Sequence, residues 1–385
     1  MGNNKEGFFW PTQEQELLLN AALLQGEKAI TSWKSWGAAV NFDQLDAGSQ
    51  RLLPLLYKNL TDHNINHPAI NVYKGFYRMT WYKNRLLSHR LVSVLRLLDS
   101  NGIPVLLLKG AALVPLYYKN WALRPMSDFD LLVPHKDALK TVNLLCNSGW
   151  RPTAQMIDES DLVTKHAGTL IDDSGIEFDL HWKIMHESGR YEDDYNFLDG
   201  TGNINFENIS VSVLSHTDQL FHILIHGTRW NEIAPLRWVP DSMMILREAG
   251  DSIDWDRLVN EARRRCLAVP LKKALLYLHE TFAAPIPAET ILSLKKMKPS
   301  LTERMEFLIH SNSRNFLRDI FYLWFTHVRT SNVNGSLSLV LRFPSFLRRF
   351  WKVPQENNLA FFLILKLAKR SGMTKTNNLH IQSNL

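Results

Sequence analysis

Cysteine is almost absent. Two thiols, Cys146 and Cys266, in 385 residues exclude a disulfide framework and a cysteine-based zinc ribbon, and they fit a reducing, cytoplasmic setting. Long apolar runs are missing as well. The longest, LAFFLIL at 359–365, falls far short of the ~20 residues needed to span a bilayer, so a soluble protein is expected. The opening MGNNKEGFFWPTQEQELLLNAALL lacks the basic start, apolar stretch and small-residue cleavage site of a secretory signal. Glu6 stands where N-myristoylation asks for Ser or Thr. No Walker A loop, glycine-rich kinase loop or serine nucleophile elbow occurs. His222 and His226 have the i, i+4 spacing of metal ligands, but HILIH lacks the glutamate of a zinc protease; His226 reads first as a packing residue.

What is present is an ordinary globular composition, 45% apolar and 21% charged, long enough for two or three domains. The net charge of +6 is uneven. Residues 301–385 hold 12 Lys/Arg against 4 Asp/Glu, which leaves the first 300 residues slightly acidic. A template nucleic acid is therefore not an expected partner. The basic, aromatic segments LRFPSFLRRFWKV and LAFFLILKLAKR suit either a helix packed by its apolar side or peripheral contact with a membrane or polyanion.

Periodicity divides the chain. Residues 1–102 read as helical, with Thr12 as a cap and a long helix from Ala69 to Ser100, stopped by Asn101-Gly102. In the block 103–215, PVLLLKG predicts a strand, GAALVPLYYKN a helix, SDFDLLVP a strand ended by Pro134, and HKDALKTVNLLCNSG a helix. TKHAGTLIDDSGIEFDLHWKI predicts a hairpin turning at 172–175, and INFENISVSVLS one more strand. Helices return over 216–300, with caps in Ser215–Asp218 and Asp254–Asp256, and continue as a basic helical region over 301–372. Residues 373–385 read as a disordered tail.

The chemistry concentrates in the middle block. On a strand, Asp128 and Asp130 face one way while Phe129 faces the core. Adjacent carboxylates repel unless a cation lies between them, and oxygen-rich sites of this kind suit Mg²⁺. In IEFDLHW the same alternation puts Glu177, Asp179 and His181 on one face, a second set of metal-capable groups. Gly110 sits where a strand gives way to a helix, whose free N–H groups favour phosphate, and Lys109 adds charge beside it. Tyr117, Trp182, Trp230 and Trp238 read as core aromatics, with base stacking as the alternative for the first two.

This order of elements and motifs resembles the nucleotidyltransferase superfamily with a polymerase-β-type core, and most closely an uncharacterised bacterial branch. The resemblance is carried by LLLKGAAL, LYYKNWALRPMSDFDLLV, EFDLHW, LIHGTRW, LRWVPDSMMIL and IDWDRLVNEA, over roughly residues 40 to 300. It implies an α+β fold, a small mixed-sheet core flanked by helical N-terminal and C-terminal regions. It also implies transfer of a nucleoside monophosphate from an NTP, ATP among them, to a hydroxyl or phosphate of an unidentified acceptor: small molecule, sugar or peptide. Asp128, Asp130 and Asp179 would be catalytic and hold two Mg²⁺ ions, with Mn²⁺ as an alternative. Lys109, Gly110 and Arg124 would meet the nucleotide, with Arg124 on a phosphate oxygen. His181, His226 and Asp241 are secondary candidates, Asp241 reading first as a helix cap with a substrate contact as the alternative. The superfamily's usual Gly-Ser stands here as Gly110-Ala111, without the serine hydroxyl. Two alternatives stay open: a catalytically degenerate nucleotide-binding or interaction protein, and a toxin-type transferase acting on protein or RNA.

Overall fold

The computed structural model describes residues 9–188, 194, 197, 200–231, 233, 235–312, 315–331, 336–359 and 362–363; the expected tail at 373–385 lies outside them. In chain order the helices begin with α1 (Gln13–Leu23), α2 (Gly26–Ala39), α3 (Ala47–Gln50), α4 (Leu53–Asp62) and α5 (Ala69–Ser100). Next come β1 (Leu106–Leu108), α6 (Lys109–Leu113), β2 (Asp128–Leu132), α7 (Ala138–Asn147), β3 (Arg151–Pro152), α8 (Glu159–Thr164), β4 (Ala167–Ile171) and β5 (Glu177–His181). Then follow β6 (Gly202–Phe206), β7 (Ile209–Val213), α9 (His216–Gly227), α10 (Trp238–Ala249), α11 (Trp255–Arg264) and α12 (Ala268–Phe282). The last are α13 (Ala288–Lys296), α14 (Leu301–Ser311), α15 (Phe316–Thr330) and α16 (Ser336–Phe350). Helices and strands of mixed direction make the fold α+β.

The chain forms two compact units, Met1–Leu131 with Phe197–Ser313 and Leu132–Asn196 with Arg314–Leu385. In the first, the strand order is β2-β1-β7-β6. β1 runs parallel to β7, and β6 and β7 pair antiparallel. All three residues of β1 are buried, as a central apolar strand requires. The capping box of Thr12 with Gln15 opens α1, which packs on α2 and α4. α5 is the spine of the N-terminal half, with Leu87, Leu91, Val94, Leu95 and Leu98 buried along one stripe. On the C-terminal side α9 packs against α10, α11 and α12.

The sequence predicts one strand in INFENISVSVLS; the structure has a hairpin, β6–β7. Its turn residues Glu207 and Asn208 have φ of 48° and 68°. Asn tolerates that left-handed geometry and Glu does not favour it, so the turn carries little compositional signal. The predicted helix after Gly110 also differs in kind. It starts α-helical and widens to a π-type turn over Val114–Tyr118, because Pro115 has no N–H for the α ladder.

In the second unit β3, β4 and β5 are consecutive neighbours. β4 and β5 pair antiparallel with Ala167 opposite His181 and Thr169 opposite Asp179. Their turn is fixed by Asp172, whose Oδ1 accepts from the N–H groups of Ser174 and Ile176, and by Gly175 at φ 82°. α8, α15 and α16 pack on one another around Leu323, Phe346 and Leu347. Among the described residues no helix is long and apolar enough to cross a membrane.

Candidate active site

In the first unit the site begins where β1 ends. Lys109 follows the buried Leu108 with φ 44°, a left-handed conformation that costs a residue with a Cβ roughly 1–2 kcal/mol. That turn delivers its ammonium to Asp130, with Nζ donating to Oδ1 at 2.5 Å. Asp130 is buried on β2, Asp128 two residues earlier is partly exposed, and Phe129 between them lies in the core. The strand predicted from SDFDLLV forms, but it is buried from Phe129 through Leu132 rather than on alternate residues.

The segment leading into β2 is held by a polar side chain inside α5. Asn84 is fully buried; its Nδ2 donates to the carbonyls of Trp121 and Arg124, both at 2.7 Å, and its Oδ1 accepts from Met126 N–H at 3.1 Å. Pro125 keeps Arg124 from continuing a helix. The guanidinium of Arg124 is turned onto Asp241 of α10 in a two-pronged pair, Nε to Oδ1 at 2.8 Å and Nη2 to Oδ2 at 2.9 Å. Tyr118 also donates to Asp241 Oδ1, at 2.6 Å. Burial opposes the charge on Arg124, but the Asp241 carboxylate outweighs it and holds the guanidinium above its ordinary range. Burial, with Asp241 beside it, pushes the Tyr118 phenol well up.

Arg124 in turn explains Gly110. A Cβ on residue 110 would lie 2.3 Å from Arg124 Nη1 and 2.6 Å from Met126 Sδ. The glycine is thus required by a guanidinium and a thioether packed on its Cα, and Ala111 beside it is buried.

Sequence reasoning missed two further arginines. Arg51 follows α3 and Arg237 precedes α10; both are partly exposed. Burial lowers the proton affinity of each, and Arg124 lowers both further; Arg237, which also feels Arg51, is pushed down to about 10. Asp128 acts in the opposite sense on both. Three guanidiniums therefore share a field with the carboxylates of Asp128 and Asp241. Arg237 is further fixed by donating to the Pro125 carbonyl at 2.6 Å. The only sequence signal was Arg237's place in LRWVPDSMMIL.

In the second unit Asp179 and His181 occupy one face of β5. Thr169 Oγ1 donates to Asp179 Oδ1 at 2.6 Å, and His181 is buried with the His166 ring 5.4 Å away. Glu177, on the same face, is exposed. His226 sits on α9 with its ring 6.2 Å from that of His222, which is buried. Trp182 and Tyr117 are core residues, Tyr117 bonded to His216 at 2.8 Å.

Asp130 on β2 of the first unit, and Asp179 with His181 on β5 of the second, are side chains of the kinds that ligate metal ions. Carboxylate oxygens with one imidazole are the donor type that hard and borderline divalent cations take, so the residues fit such an ion.

A strand, a short helix opening on Lys109-Gly110 and an aspartate pair on the neighbouring strand, backed by basic side chains, are the parts of a nucleotidyltransferase. The profile of the family described as uncharacterised nucleotidyltransferase matches residues 46–283, and the chain belongs to that family. Among solved structures it is similar to an antigenic nucleotidyltransferase-like protein from Paracoccidioides brasiliensis. The identity is 16% and the TM-score 0.36, over 55% of this chain and 96% of the other. No curated protein matches the chain.

Proposed function

We propose that the protein is a Mg²⁺-dependent nucleotidyltransferase that moves a nucleoside monophosphate from an NTP to a hydroxyl of a non-nucleic-acid acceptor. The observation that carries this reading is the arginine group. Arg51 and Arg237, half-buried and electrostatically coupled to Asp128, supply positive charge beside the aspartate pair of a family built for nucleotides. Arg124 contributes as a neighbour locked by Asp241, so direct contact with phosphate falls to Arg51 and Arg237. The superfamily's missing serine hydroxyl is offset by Lys109, whose ammonium reaches the same strand turn.

Asp128 and Asp130 would hold a divalent ion in the first unit, and Asp179 with His181 offers further donors in the second. When bound, such ions neutralise the triphosphate and favour displacement at phosphorus. In the reaction the acceptor hydroxyl oxygen attacks the α-phosphorus. A new P–O bond forms as the bond to pyrophosphate breaks, and Asp179 takes the hydroxyl proton. Thr169, donating to Asp179, fixes which carboxylate oxygen remains for that proton. Arg51 and Arg237 hold the departing pyrophosphate. Most of the rate enhancement then comes from positioning and fixed charge.

Calorimetric titration of each NTP with Mg²⁺ tests the reading. The wild type is expected to bind at least one NTP in a metal-dependent way. Asp128→Asn with Asp130→Asn should abolish binding, and Arg237→Ala should weaken it about tenfold, the loss of roughly one charged hydrogen bond. No binding of any NTP with Mg²⁺ or Mn²⁺ would overturn it.

A further inference from the structure

The second unit contains a cavity of about 330 Å³ that the reading above leaves unused. It is within the size range of small-molecule sites, ~300–1,000 Å³. All its lining residues belong to that unit. It lies along β4 where the two-residue β3 stops, walled by the segment 152–157, the end of α8, and Tyr322 and Phe350 of α15 and α16.

Three features give the cavity its chemistry. Its apolar walls are aromatic: Tyr322 is held parallel to His186 with ring centroids 4.7 Å apart, and Phe350 and Trp182 complete them. Aromatic faces carry partial negative charge and pack against the C–H faces of saturated rings. Its remaining lining offers hydroxyl, amide and imidazole groups from Thr153, Gln155, Thr169 and His166. Its lining carries one carboxylate and one ammonium, Asp161 and Lys165, which pair at 2.9 Å; behind them Lys352 bridges Asp161 at 2.8 Å and Asp158 at 2.9 Å. The acidic and basic groups of the lining thus answer each other, which favours a neutral ligand.

One wall residue ties the cavity to the chemistry. Thr169 lines it and donates its hydroxyl to Asp179. A hydroxyl seated against Thr169 is thus one hydrogen bond removed from the carboxylate assigned to accept the proton.

We infer that this cavity is the acceptor site and that it takes a neutral, hydroxyl-rich ring of monosaccharide size. The cavity's ligand class follows from its walls alone; its role as acceptor site rests on the nucleotidyl-transfer reading. Aromatic faces read the ring, the polar lining reads its hydroxyls, and Thr169 with Asp179 selects the one that reacts.

Saturation-transfer NMR on the full chain, without nucleotide, separates the two readings. The probes are glucose, galactose, mannose and N-acetylglucosamine, with glucose 6-phosphate and glucuronate as charged counterparts. At least one neutral sugar is expected to bind, and to bind at least tenfold better than its charged counterpart. Gln155→Trp, which fills the exposed rim, and Tyr322→Ala, which removes a wall, should each weaken binding tenfold or more. The rim variant guards against a folding defect at Tyr322. Asp128→Asn should leave sugar binding unchanged while removing Mg²⁺–NTP binding. Preference for the charged sugars, or no sugar bound by a protein that binds Mg²⁺–NTP, would overturn the cavity's assignment and leave the transfer reading standing. Sugar binding without any NTP binding would uphold the ligand class and remove the transfer reading.

Discussion

At the scale of single residues, this site is organised by contacts that forbid substitution. Gly110 is the sharpest case, since its Cα is overlaid by Arg124 and Met126 and the nearer approach of a Cβ is 2.3 Å. Arg124 cannot yield cheaply, because Asp241 pins its guanidinium through Nε and Nη2, whereas the Met126 thioether ends a flexible side chain and can give way. Gly110→Ala should therefore destabilise by roughly 1–3 kcal/mol, the usual cost of overpacking. It should also weaken NTP binding by displacing the arginine group. Urea unfolding beside NTP calorimetry checks this, and an unchanged unfolding midpoint would mean that the guanidinium moves freely. A helix-opening glycine offers backbone N–H groups to phosphate in any sequence. The tertiary cause of this glycine is a side chain fourteen positions later, and no local pattern encodes it.

At the scale of elements, α11 shows how one buried carboxylate sets a pH window. Asp254 caps the helix by accepting from Arg257 N–H at 2.8 Å. Inside it, Glu261 is almost fully buried and accepts from Arg264 at 2.7 Å and from Arg265 at 2.5 Å. Burial alone would raise its pKa, but the two guanidiniums overcome burial and hold it at about 2, against 4.5 unperturbed. The folded state thus binds this proton less readily than the unfolded chain. The stabilisation is full above pH ~4.5 and is lost as pH falls from there toward 2. It amounts to on the order of 2 kcal/mol, because water partly screens the exposed guanidinium of Arg264. Glu261→Gln should be markedly less stable than wild type at pH 6.5, and the gap should close as unfolding is measured nearer pH 3. A gap that does not depend on pH would assign the loss to packing instead.

Elements were also what the sequence conveyed best. The 32 residues of α5 run from Ala69 to Ser100, as its apolar spacing indicates, and β5 alternates from Glu177 to Leu180; β2 does not alternate, being buried from Phe129 through Leu132. Periodicity succeeds in α5 and β5 because each has one buried face. It is silent where a polar residue is buried for a tertiary reason. Asn84 reads as an ordinary polar position of a helix, yet it ties down the whole segment 121–126. Arg51 and Arg237 stand 186 positions apart, and only the folded chain couples them. Asp241, read as a cap, makes no cap bond; it commits both oxygens to Arg124 and Tyr118.

At the scale of the whole molecule, the chain enters each unit twice, and this bears on its basic C-terminal end. Residues 301–385 carry 12 Lys/Arg against 4 Asp/Glu, a composition that suits either helices packed by their apolar sides or contact with a polyanion. Part of this region is used internally. Lys352 bridges Asp158 and Asp161, Arg329 donates to the carbonyl of Glu187, and Thr326 meets His186. The apolar sides of α15 and α16 bury Leu323, Phe346 and Leu347. Truncation after Ser313 would strip the second unit of these helices and leave Asp158 and Asp161 without Lys352. The expected outcome is a Tm lower by about 10 °C or more, or loss of a cooperative transition, with increased binding of a hydrophobic dye. An appendage could be removed with no change in Tm, and that result would return the helices to the surface. The same truncation deletes Tyr322 and Phe350 from the cavity. Sugar binding and thermal stability should therefore fall together in the truncated chain, whereas Gln155→Trp should lower sugar binding alone.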